Sequence, residues 1–319
     1  MKHRLSFAIV GLKMLGGVGC LGAAQAVTPV PVLPAFDVVA APIVSETTVN
    51  AFGFQTTSVG REQIDAMNAG DLASALRRTP GATISRYNSV GAFGGGEGGA
   101  VFLRGLGSSR PGGEIKTTLD GVPIGNGVFN HPLLDLLPVD LAGAVEVHRR
   151  AEPLSAGNMF AGINLVSPRG GPIGGWLHGS ASVGSFGARS GKLAAGRRFA
   201  TGEIYAGQSY REAEGHRADA DGRLVHTLVR AGWSPLPALT LSYLGHRTEN
   251  RATDPGAEAG AGLPPTRGDV YETEAWLHLV SAVWTRTGGE GSVRAYVNDG
   301  DANWWRRATS ANADSINAY

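Results

Sequence analysis

The chain has 319 residues, with 28 Lys and Arg against 27 Asp and Glu, 48 glycines and a single cysteine. A balance this near neutrality gives no electrostatic case for nucleic acid, and a lone cysteine allows neither an internal disulfide nor a cysteine-ligated metal site. So much glycine without a collagen period, with only 17% charged residues, suits β-structure with many tight turns.

The chain opens Met1-Lys2-His3-Arg4, continues apolar to Gly22 and ends this segment at Ala24-Gln25-Ala26. A basic start, a short apolar middle and small residues at the A-x-A position predict a secretory signal over residues 1–26. Lys13 breaks the apolar run, which is then too short for a membrane anchor. The signal takes three basic residues and Cys20 with it, leaving 25 basic against 27 acidic residues. No later apolar run approaches the length of a transmembrane helix, so a membrane-embedded form has to be a closed barrel.

Residues 27–46 form a lead in which Pro29, Pro31 and Pro34 prevent a helix. Phe36 to Ala41, an acid followed by β-branched residues, could add a strand to another protein's sheet, and reads equally as an ordinary first strand. From residue 47 to 168 the pattern is a small α+β domain. Strands are predicted at Gln55–Val59, Val101–Leu103, Lys116–Leu119 and Ala144–Val147, and helical turns at Arg61–Met67 and Asp71–Arg78. In the second helix Leu72, Ala75 and Leu76 share one face, with acid at the start and arginine at the end to match the dipole. Thr79-Pro80-Gly81 stops it, and Asp120-Gly121 supplies a tight turn.

From 174 to 319 the pattern changes to antiparallel β-strands without helices. Strands are predicted at Trp176–Ser185, Ser190–Arg198, Glu203–Tyr210, Leu224–Ser234, Leu239–His246, Tyr271–Thr285 and Ser292–Tyr296, most near the 9 to 11 residues of a tilted transmembrane strand. Short connections at 199–202, 234–237 and 286–291 alternate with long polar ones at 211–223 and 247–270, as in outer-membrane barrels. Ser185-Phe186-Gly187 is a short exception. Seven strands do not close a plugged transporter barrel of 22, so an incomplete barrel is expected.

Five motifs stand in one order: Leu76-Arg77-Arg78-Thr79-Pro80-Gly81, Phe102-Leu103-Arg104-Gly105, Leu119-Asp120-Gly121-Val122-Pro123, Val145-Glu146-Val147 and Gly162-Ile163-Asn164. This set resembles the plug domain of TonB-dependent outer-membrane receptors. The resemblance implies an α+β plug followed by the first antiparallel strands of an incomplete outer-membrane β-barrel. It implies a receptor for energy-coupled, gated uptake of a scarce ligand such as a siderophore or other metal chelate, with the TonB protein of the inner membrane and outer-membrane lipid as partners. The alternative is an outer-membrane β-protein acting as a passive channel or adhesin without TonB coupling, and a third reading is an exported soluble β-rich binding protein.

Position by position, Asp37, Val38, Val39, Ala40 and Ala41 match the coupling box. Arg104, Gly105, Asp120, Gly121 and Glu146 match the plug core, where glycine serves turns and a buried arginine beside an acid serves packing and pairing. Ligand contacts are expected in apical loops: Arg110 for an anionic group, Tyr87 and Phe129 for stacking, and His131, which alone makes no metal site. Taken singly, each reads more readily as a solvated loop residue with no partner. Arg149-Arg150-Ala151-Glu152-Pro153 and the short stretch from Ser155 to Ile163 depart from the family pattern where plug meets barrel. Gly94 to Gly99 spells G-x-G-x-x-G but precedes a strand, not a helix, so it makes no dinucleotide site. No catalytic residue, cofactor or metal is expected.

Overall fold

The structure, a computed structural model, describes residues 8–9, 46–49, 55–77, 79–86, 90, 99–105, 115–124, 138–149, 160–253, 270–305 and 317–318. The amino-terminal domain is built on a six-stranded sheet in the order β2 (Glu46–Val49), β3 (Gln55–Gly60), β8 (Ala144–His148), β9 (Ala161–Val166), β6 (Ile115–Leu119), β7 (Val122–Pro123). Only the β6–β9 pair is parallel. Helices α1 (Arg61–Ala66) and α2 (Leu72–Leu76) follow β3, and β4 (Ala82–Arg86) pairs with β5 (Gly99–Leu103) in a separate ribbon.

Alternation and helical spacing explain which residues are inside. In β6 the burial follows a period of two, with Ile115, Thr117 and Leu119 inward. Val59 lies opposite Val145, and Val147 opposite Ile163, so three strands present one apolar surface. Ile64 of α1 and Leu72, Ala75 and Leu76 of α2 are buried against it. Asp71 caps α2 by accepting the Ser74 N–H at 2.7 Å, satisfying one orphan donor of the first turn. The helices and strands expected in this domain are present within a few residues of their predicted ends. The strands β2, β4, β7 and β9 were not foreseen, because each is short and none has a clear periodic run.

The second part is an antiparallel meander of seven long strands: β10 (Gly174–Val183), β11 (Arg189–Arg198), β12 (Gly202–Ala213), β13 (Gly222–Leu236), β14 (Leu239–Thr253), β15 (Val270–Arg286) and β16 (Gly289–Trp305). Each pairs with its sequence neighbours, and β10 and β16 are not paired with each other. The two-residue strands β1 (Ala8–Ile9) and β17 (Asn317–Ala318) lie along β16. The meander is a curved wall, not a closed cylinder.

Several wall strands exceed expectation. Residues 211–213 and 247–253, predicted as loop, extend β12 and β14, and β16 runs to Trp305. The charges that made these stretches look like loops alternate along the strands and meet partners across them. Arg247 bonds Glu274 at 2.8 Å and also pairs with Glu249, and Arg251 pairs with Asp221 at 2.6 Å.

The two faces of the wall differ in chemistry. The inner face carries Tyr205, Leu228, Leu244, Ala275, Leu277 and Leu279, which join the core of the amino-terminal domain in one apolar cluster. The outer face exposes Leu177, Leu193, Ile204, Val229, Trp233 and Val280. Apolar groups facing outward in adjacent strands form a belt, flanked on β15 by Trp284 towards the short turns and Trp276 towards the long loops. Eight residues separate those two tryptophans, about 27 Å along a strand, or roughly 20 Å of height at a tilt of about 40°. Above Trp276 the outer face is charged. No helix among the described residues is long and apolar enough to cross a membrane.

Candidate functional site: the seam between domain and wall

The amino-terminal domain is seated against the inner face of the wall and fastened at two places. Towards the long-loop end of β12, Asp140 is 4% exposed and receives the Arg211 guanidinium. Arg211 Nε donates to both carboxylate oxygens at 2.9 Å and Nη2 to Oδ1 at 2.6 Å. The guanidinium reaches this acid by passing over Gly70, where a Cβ would lie 1.8 Å from Nε. Only a residue without a side chain fits there. Beside it, Arg61 of α1 donates to the carbonyls of Val139, Asp140 and Ala142 at 2.8–3.2 Å, pinning the segment that carries the acid. Asp65, one turn on, pairs with Arg61 and with Lys192 of β11 at 2.9 Å.

The two acids respond oppositely to this setting. Burial pushes the Asp140 carboxyl above its ordinary 3.8, outweighing the hydrogen bonds and charge of Arg211. Burial also raises Asp65, but there the Arg61 and Lys192 bonds prevail and hold it below 3.8. Asp140 is thus an acid held charged at some cost, whereas Asp65 is comfortably ionised.

The second fastening lies near the short-turn rim. Asp120 and Gly121 have φ of 48° and 78°, the positive pair of a two-residue hairpin turn between β6 and β7. That turn aims the Asp120 carboxylate at Ser167, which donates from its N–H at 2.9 Å and its hydroxyl at 2.6 Å. Arg230 of β13, 8% exposed, donates to Ser167 Oγ at 2.8 Å, lies 3.5 Å from Asp120 and bonds Glu203 of β12 at 3.3 Å. Glu203 also accepts the Gly170 N–H at 3.0 Å, and Trp176 donates to the Gly170 carbonyl at 2.8 Å. Arg294 of β16 reaches the Asp120 carbonyl at 3.0 Å. The wall therefore grips both the β6–β7 turn and the linker that leaves β9.

Between the fastenings the fit is incomplete. A cavity of about 560 Å³ separates α1 and the 140–144 segment from the first wall strands, with Asp65, Trp176, Lys192 and Tyr205 on its walls. Farther along the inner face, His226 Nε2 and His246 Nδ1 are 3.1 Å apart, and His246 Nε2 is 2.9 Å from the Thr248 hydroxyl. His226 is 1% exposed, and its Nδ1 has no hydrogen-bond partner among the described residues.

The residues singled out in the sequence fall in three groups. Gly121 and Glu146 meet through Asn164, which accepts from the Thr118 hydroxyl at 2.8 Å and the Gly121 N–H at 2.9 Å and donates to Glu146 at 2.9 Å, while Asp120 serves the Ser167–Arg230 fastening. Arg104 and Gly105 stand apart from both. Arg104, expected to be buried and paired with an acid, is exposed, because it leaves the end of β5 with φ of 57°. Its N–H, not its guanidinium, holds the fold, donating to the Gly81 carbonyl at 2.7 Å. Asp37, Val38, Val39, Ala40, Ala41, Tyr87, Arg110, Phe129 and His131 lie outside the described residues. Asp140, Arg211, Arg230, Glu203 and the histidine pair were not foreseen. For the wall residues the available signal was strand parity: His226 and Arg230 alternate in step with Leu224 and Leu228, the inward set.

Residues 49–163 match the model of the TonB-dependent receptor plug domain. Over that span the chain is similar to the TonB-dependent receptor plug domain. The architecture agrees over a wider span. The alcaligin outer-membrane receptor FauA of Bordetella pertussis aligns over 82% of this chain and 43% of its own, with TM-score 0.60 and 18% identity. The ferric preacinetobactin receptor BauA of Acinetobacter baumannii aligns over 82% and 41%, with TM-score 0.61 and 16% identity. The pyoverdine outer-membrane receptor FpvA of Pseudomonas aeruginosa aligns over 82% and 40%, with TM-score 0.62 and 15% identity. The chain thus spans less than half the length of these receptors. The domain described above holds the span matched by the plug model, and the domain and meander together have the fold of the corresponding part of these receptors.

Proposed function

We propose that this chain is the plug and leading barrel strands of a TonB-dependent receptor, which captures a ferric chelate of the siderophore class and admits it by energy-coupled movement of the plug. The observation that carries the reading is a plug-family domain seated, through buried ion pairs, against a wall whose outer face is an apolar belt bounded by aromatic rings. The ligand class is supported by the similar receptors, described as binding alcaligin, ferric preacinetobactin and pyoverdine. Residues 1–26 direct export, the belt lies in the outer membrane, and the short turns face the periplasm. Strands beyond β10 and β16 are needed to complete the cylinder.

In this reading Asp37 to Ala41 pair with TonB as an added strand. Tyr87, Arg110, Phe129 and His131 contact the ligand from the plug apex. A pull on the box is transmitted to the two fastenings, and the incomplete fit between them is where a path widens. The test is deletion of Asp37–Ala41 in the full-length receptor. Surface binding retained with uptake abolished supports coupling. Uptake at the undeleted level refutes it and favours a passive channel.

A further inference from the structure

On the outer face, an apolar groove of about 500 Å³ crosses β12 to β15 near the short-turn rim. It exists because Ala231, a small side chain, sits among Ile204, Trp233 and Tyr243, each exposed by 37% or more. The groove does not end in lipid-like surface. At the Phe199–Gly202 turn it adjoins a second, polar basin of about 360 Å³, and the two share Phe199, Thr201, Gly202, Glu203 and Gly232. Arg169 and Arg198 stand in the basin with the hydroxyl-bearing Thr201 and Ser234. The Arg197 guanidinium lies 5.1 Å from the Phe199 ring at the junction. The one acid in the basin, Glu203, is already engaged by Arg230, by the Gly170 N–H and, at 3.6 Å, by Arg169.

An apolar slot opening into a cation-rich basin at one rim matches an amphiphile with a negative head. We propose that this surface is a selective site for an anionic glycerophospholipid of the leaflet nearest the short turns, its acyl chain along Ala231 and its phosphate with Arg169, Arg197 and Arg198. Ordinary lipid contact needs only the belt. Three arginines at one point of the rim, with a single neutralised acid, add a preference for negative headgroups, because each cation near an anionic lipid surface contributes attraction that a zwitterionic headgroup does not return. The inference rests on the reading of the wall as membrane-embedded.

The experiment places the full-length receptor in phosphatidylcholine vesicles containing a fraction of either dibrominated phosphatidylglycerol or dibrominated phosphatidylcholine. It reads bromine quenching of Trp233, isolated by subtracting the signal of Trp233→Phe. The phosphatidylglycerol is expected to occupy the site at least about fivefold more readily than the phosphatidylcholine. In Arg169→Gln/Arg198→Gln the preference should fall to about one, and in Ala231→Leu, which fills the slot and leaves the arginines intact, quenching by both lipids should drop. Equal quenching by the two lipids in the unaltered protein, or a preference that survives the arginine changes, overturns the site and leaves the membrane reading standing. No quenching by either lipid overturns both.

Discussion

The fastening at Asp140 makes a quantitative test of how the plug is held. Arg211→Met removes three hydrogen bonds from a carboxylate that is 4% exposed. Leaving that charge unpaired costs about 3–5 kcal/mol. Its escape is to take up a proton, which at pH 7 costs about 4 kcal/mol against an unfolded pKa of about 3.9, so a loss of about 3–4 kcal/mol is expected by either route. At pH 5 the protonation route costs at most about 1.5 kcal/mol. The sign follows from the direction of the shift. Burial raises Asp140 even with Arg211 present, and more so without it, so the folded variant binds the proton more readily than the unfolded chain. Its stability is greatest in acid and is lost as pH rises from the unfolded value through the folded one. Urea titration of the receptor in detergent at pH 5 and pH 7, followed by tryptophan fluorescence, measures the deficit. A deficit under about 0.5 kcal/mol at pH 7, or one equal at the two pH values, refutes the account.

Other expectations follow from the same contacts. Asp140→Leu/Arg211→Met should lie within about 1 kcal/mol of the parent or exceed it, since a buried pair replaced by apolar groups leaves no stranded charge; the same urea titration decides. Gly70→Ala should reproduce most of the Arg211→Met deficit, because its Cβ displaces the guanidinium, and Asp140→Asn in that background should recover part of it. Gly121→Ala should cost about 1–2 kcal/mol through its φ of 78°, and the hydrogen-exchange protection of the β6–β7 turn should fall accordingly. Arg230→Gln should loosen the plug at the short-turn rim, seen as faster proteolysis between Ser167 and Ile173 in detergent, with little change at Asp140.

How much of this was legible in the sequence depended on whether the cause was local. Helix α2 was readable because Asp71, Leu72, Ala75, Leu76 and the Thr79-Pro80-Gly81 stop lie within eleven residues of each other. The wall strands were readable where aliphatic and small residues alternate. They were cut short where Arg247, Glu249 and Arg251 alternate instead, since polarity signals a loop unless the partner strand is known. The fastenings left no local trace. Asp140 and Arg211 are 71 residues apart, and Arg230 and Asp120 are 110 apart. Their pairing is a property of the seam, which exists only once the domain is set against the strands. Arg104 shows the converse error, a motif position whose conformation at the end of β5 turns its side chain to solvent.

On the wall side the two fastenings draw on residues of β10 to β16, and the core beneath them closes with side chains from the same strands. The receiving surface is therefore finished while the sheet still has two free margins. In the receptor proposed above, the stopper would therefore be berthed before any ring exists and would not need threading through a completed opening.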